Sequence, residues 1–145
     1  MRIWSKNLIP YLPQKQLMAM RYELGDMIKQ YPNIKNGLVK FANNYDIIFL
    51  YSYFVEVCTE MEKREINMNS TYNDDISSIV CSKTHTKANF QFNEDNEEYL
   101  KICLMNLYEK HIRNMIPKEE WQLIYDNFKE YLDWEENYLL NFLKN

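Results

Sequence analysis

Residues 46–64 read DIIFLYSYFVEVCTEMEKR, and the fold turns on whether this stretch is a strand or a helix. Its opening, Ile47-Ile48-Phe49-Leu50, has the unbroken apolar character of a buried strand. Three features decide for a helix. The run is too long for one strand, Asp46 can cap its start, and the charged tail Glu60-Met61-Glu62-Lys63-Arg64 falls at helical spacing. Because it is apolar nearly all round at its beginning, the segment is expected in the middle of a helical bundle.

Working outward, Pro10 and Pro13 punctuate the approach to a first helix over about residues 13–31. Leu17, Met20, Leu24 and Met27/Ile28 recur there at helical spacing, and Tyr31-Pro32 ends the pattern. Arg2-Ile3-Trp4 reads as a short extended start. Downstream, a helix over about 94–114 is expected to bury Tyr99, Leu100, Cys103, Leu104, Leu107, Tyr108 and His111/Ile112. Pro117 opens another, in which Trp121, Ile124, Phe128, Leu132, Leu139 and Phe142 keep the period to the C-terminus. The polar stretch from about 67 to 93 reads as a long loop. The expectation is an all-α fold, one compact domain spanning residues 1–145, with about four main helices. Two glycines and four prolines in 145 residues leave little turn chemistry for a β-sandwich and none for a glycine-rich phosphate loop.

Charge is unevenly distributed. Residues 1–40 hold seven cations (Arg2, Lys6, Lys15, Arg21, Lys29, Lys35, Lys40) against two anions (Glu23, Asp26), a net of +5; the rest holds ten against nineteen, a net of −9. This is either ordinary solvated helix surface or a basic face suited to a polyanion on an acidic body. Three cysteines, Cys58, Cys81 and Cys103, have no paired spacing, so a reducing cytoplasm is expected rather than a disulfide framework. Cys81 and His85 supply only two of the four ligands that zinc needs, and no metal or organic cofactor is expected. No apolar run has the length of a signal peptide core or a membrane span. No serine, cysteine or histidine arrangement suits a hydrolytic triad, and two histidines leave little for general acid–base work.

The N-terminal segment carries a resemblance. Met1-Arg2-Ile3-Trp4, then Leu12-Pro13, then Gln16-Leu17-Met18-Ala19 ending in Glu23-Leu24, resembles the start of the pyrimidine-dimer DNA glycosylase family, the endonuclease V type of UV-repair enzyme. Phe49-Leu50-Tyr51 leading to Glu60-Met61-Glu62-Lys63-Arg64 adds a second match, to the family's aromatic helix ending in Lys/Arg. The resemblance implies a DNA repair glycosylase with abasic-site lyase activity on damaged double-stranded DNA. It further implies that the α-amine of Met1 forms a Schiff base at the sugar while Glu23 assists, and that Arg2, Lys6, Lys15, Arg21 and Tyr22 contact DNA.

From the residues alone, Glu23 is either a surface glutamate or such a carboxylate. An α-amine, with a reference pKa of about 7.7–8.0, is a better nucleophile at neutral pH than a lysine. Arg2 is expected to preserve Met1 against processing. Trp4, Tyr11 and Tyr22 are candidates for stacking on bases or for the core and its rim. The sequence departs from the family where Arg21-Tyr22 stands in swapped order before Glu23 and where Asp26 replaces a basic residue. It also lacks the family's C-terminal patch of aromatic, lysine and glycine residues. A soluble, cytoplasmic monomer with no membrane partner is expected. The rival reading is a catalytically inactive relative serving as a helical protein- or nucleic-acid-binding module.

Overall fold

A computed structural model of the chain describes residues 2–84 and 90–133. Among them there is no strand; helices supply most of the core, joined by Ile3, Trp4, Ile34, Val39 and Phe92 from the segments between. Residues 2–5 are irregular, and a 3-10 helix follows over Lys6–Tyr11. Helix α1 spans Gln14–Gln30 and α2 spans Ile48–Lys63, with a short 3-10 helix at Lys40–Asn44 between them. Helix α3 covers Ser70–Cys81, α4 Glu97–Ile112 and α5 Lys118–Asn127.

Helices α1 and α2 form the central pair. Leu17, Met20, Leu24, Met27 and Ile28 of α1 are buried, as their spacing requires, against Leu50, Phe54, Val57 and Met61 of α2. Asp46 does tie off the start of α2: its carboxylate accepts the Ile48 amide at 2.9 Å. The start of α1 has no cap of its own, because Pro13 offers no side-chain acceptor. Instead Glu120 of α5 accepts the Gln14 amide at 2.8 Å, placing a carboxylate on the positive end of the helix dipole from across the fold.

Two expectations are corrected. The stretch 67–93 contains α3, whose start is capped by Asn69 accepting the Tyr72 amide and whose apolar face, Ile76 and Val80, reaches the core. The description as one loop fails because a polar composition hid one buried residue per turn. The last helix is also not continuous: α5 ends at Asn127, Phe128 leaves helical geometry with φ −128°, and residues 129–133 turn helical again. Leu139 and Phe142, expected to extend it, lie outside the described residues, as does His85.

Helix α4 is capped by Asn96, which accepts the Tyr99 amide, and carries Glu97 and Glu98 in its first turn; of the residues expected inside, Tyr99, Tyr108 and His111 are half-buried, while Ile112, at the far side of the last turn, is 58% exposed. His111 near its end stacks on Trp121 of α5, rings 4.3 Å apart and 7° from parallel. No group of three or more potential metal ligands clusters among the described residues. None of their helices is long and apolar enough to cross a membrane.

Candidate active site

The amino-terminal segment is fastened from its second residue onward. Ile3 and Trp4 are buried, so the segment is anchored by two large side chains. The Arg2 guanidinium lies over the Trp4 ring, 5.5 Å from its centre. From α4 the Tyr99 hydroxyl donates to the Ile3 carbonyl, and burial pushes that phenol well above its ordinary pKa. It therefore stays a donor at any physiological pH. Next to it, burial raises the Cys103 thiol to about 11, so it too remains neutral.

Glu23 reaches this anchored segment. Its carboxylate accepts the Arg2 backbone amide at 3.2 Å, a contact across 21 residues of sequence. The amide in question is the one that joins Arg2 to Met1. Glu23 is half-buried on α1, while Leu24 beside it is fully inside. The turn at 10–13 and the buried side of α1 therefore set the position of the carboxylate together. Met1 itself lies outside the described residues.

Two further groups hold the segment, neither of which was expected. Asp95 accepts the Lys6 amide at 2.8 Å and the Tyr53 hydroxyl at 2.6 Å. Arg64, at the end of α2, donates to the carbonyls of Leu12 at 2.7 Å and Pro10 at 3.0 Å, and its Nε pairs with Glu60 at 2.9 Å. That guanidinium closes off the 3-10 helix just before α1 begins. The Glu60–Arg64 spacing is visible in the sequence. The Asp95 contact, 89 positions from Lys6, is not.

The expected DNA contacts divide. Arg2 is half-buried, and Lys15 and Tyr22 are exposed. Lys6 is engaged within the protein: its ammonium donates to Ser52 at 2.5 Å and to the Phe90 carbonyl at 2.6 Å. Burial lowers its pKa, opposed by the carboxylates of Glu56 and Asp95. Arg21 corrects the expectation most clearly, being only 1% exposed. Its Nε and Nη2 both donate to Asn73, at 3.0 and 2.8 Å, and Nη2 also donates to the Asn69 carbonyl. The guanidinium packs against the rings of Tyr22 and Tyr72. Placed 100° round the helix from position 22, it faces α3 rather than solvent. Of the aromatic candidates, Trp4 is core, Tyr11 sits edge-on to Phe128 at 5.3 Å, and Tyr22 remains at the surface. Lys29, Lys35 and Lys40 are exposed, with Lys29 lying over the Tyr72 ring.

A family model described as pyrimidine dimer DNA glycosylase matches residues 1–74. No curated protein and no solved structure matches the chain.

Proposed function

The chain belongs to the pyrimidine dimer DNA glycosylase family, whose members are DNA repair glycosylases, and from that premise we propose that it removes a damaged base and then nicks the strand as an abasic-site lyase, using the α-amine of Met1 and the carboxylate of Glu23. The observation that carries the reading is the hydrogen bond from the Arg2 amide to Glu23. The α-nitrogen of residue 1 is three covalent bonds from that amide nitrogen, so bond geometry alone keeps it within about 7 Å of the carboxylate oxygen that accepts the amide.

The chemistry follows from that pairing. The neutral amine attacks C1′ of the deoxyribose while the glycosidic bond breaks and its electron pair leaves with the base, which takes up a proton. The proton on that nitrogen passes to O4′ as the C1′–O4′ bond breaks, and the nitrogen lone pair closes the iminium, leaving a 4′ hydroxyl. Its positive charge acidifies the 2′ hydrogen; Glu23 removes that proton, and the resulting electron pair expels the 3′ phosphate. A carboxylate stabilises the cationic sugar and moves protons in both halves. Extruding the damaged nucleotide costs a few kcal/mol, which phosphate contacts offset. With Arg21 and Lys6 bound inside the protein, Arg2 and the exposed Lys15, Lys35 and Lys40 supply these contacts.

The test is covalent trapping. Incubation with abasic-site duplex and borohydride is expected to reduce the imine to a stable adduct on the N-terminal peptide, located by mass spectrometry. Glu23→Gln keeps an acceptor for the Arg2 amide and is expected to slow strand cleavage by about 100-fold or more, the scale of one general base. A wild-type protein that cleaves without any adduct on that peptide overturns the amine mechanism.

A further inference from the structure

Helix α4 is apolar on two faces. Leu100, Cys103, Leu104 and Leu107 turn inward and are buried. Ile102, Met105 and Ile112 fall within an arc of roughly 80° on the opposite side, and Met115 lies just beyond the end of the helix. These four are exposed, from 45% for Met115 to 58% for Ile112. They make up half of the large apolar side chains exposed among the described residues. An α-helix apolar on both faces is the pattern of one covered on both.

A groove of about 560 Å³ opens at the start of this second face, between α4 and residues 130–131. Its floor is Ile102, Leu104 and Met105, and its rim carries Glu97, Glu98 and Glu130. The one cation there, Lys101, is paired to Glu98 at 3.4 Å, and Tyr131 donates to Glu97. The rim is net negative, within the part of the chain that holds nineteen acids against ten bases. Such a rim repels nucleic acid and anionic membranes, so the occupant must be cationic and present an aliphatic stripe.

We propose that this groove and the Ile102–Met115 stripe dock a basic amphipathic helix of a partner protein, laid along α4 with its aliphatic face on Ile102 and Met105 and its lysines or arginines over the three glutamates. None of the residues lining this surface is among those placed around Glu23.

The probe is a fluorescein-labelled synthetic peptide of leucine and lysine at helical spacing, titrated into the full chain by anisotropy. Its control is a scrambled peptide with no apolar face. Saturable binding to the first, at least tenfold tighter than to the second, is expected. Ile102→Ser with Met105→Ser should weaken it tenfold or more. Glu97→Gln with Glu130→Gln should weaken it and flatten its dependence on salt. Leu38→Ser, at an exposed apolar residue elsewhere, should leave it unchanged. Four results overturn the proposal: equal binding of both peptides; equal loss with Leu38→Ser; an affinity raised tenfold by deleting residues 134–145, which would give the groove to the chain's own end; or a dimer in sedimentation that Ile102→Ser dissociates, which would give it to a second copy.

Discussion

Substituting Gly25 by Ala should destabilise this protein, although alanine is the better residue in a helix. A Cβ at Gly25 would lie 1.8 Å from the Tyr72 hydroxyl oxygen and 2.8 Å from the ring carbon bearing it. Rotation of the ring about its own axis leaves that oxygen in place, so the phenol as a whole must move by more than an ångström. Its surroundings resist: Arg21 packs on the ring at 4.7 Å, Lys29 at 5.1 Å and the Tyr22 ring at 5.2 Å. Overpacking of this kind costs about 1–3 kcal/mol, and the helix propensity gained is about 1 kcal/mol, so a net loss of about 1–2 kcal/mol is expected. In a Tyr72→Ala background the same change meets no atom nearer than 3.3 Å and should stabilise by up to about 1 kcal/mol. Urea unfolding of the four proteins, followed by circular dichroism, gives the coupling, expected at about 2–3 kcal/mol. The Tyr72 hydroxyl is also buried without a hydrogen-bond partner among the described residues, so Tyr72→Phe is expected to be neutral or stabilising. A Gly25→Ala protein stabilised equally in both backgrounds would refute the reasoning.

Arg64→Ala removes charged donors from the Leu12 and Pro10 carbonyls and should cost about 2–3 kcal/mol, with faster hydrogen exchange at the Leu8 and Leu12 amides. Arg64→Lys, a point charge without the fork, should restore less than half of this loss. Tyr53 is buried and bonded to Asp95, both of which raise its pKa far above the ordinary 10. Above pH 10 the unfolded chain releases that proton and the folded chain keeps it, so stability is full below 10 and falls by about 1.4 kcal/mol per pH unit above it. Tyr53→Phe should make the alkaline limb shallower by that amount, measured as denaturation midpoint against pH.

The helices that bury a regular apolar stripe were legible in the sequence. Leu17, Met20, Leu24 and Met27 in α1, and Leu100, Cys103, Leu104 and Leu107 in α4, declare their inner faces by spacing alone. Helix α3 was not, although Asn69 ahead of Tyr72, Ile76 and Val80 is a cap followed by helical spacing; seven polar residues among its twelve outweighed that signal. At the site, Glu23 could be singled out, but its partner could not, because a backbone amide carries no sequence signature. Arg21 was expected at DNA because the family resemblance implies an arginine contact beside the glutamate. Its burial depends on Asn73, 52 positions away. Asp95 went unnoticed and Tyr99 was expected only as a core residue, for the same reason: each reaches the N-terminal segment from the other half of the chain.

The family match ends at residue 74, yet the segment it covers is held by residues beyond it. Tyr99 secures the Ile3 carbonyl, Asp95 the Lys6 amide and Glu120 the first amide of α1. The first 74 residues are thus not a portable module. A chimera joining them to a different helical tail would need a phenol and two carboxylates supplied at those three places before its leading residues came to rest beside Glu23.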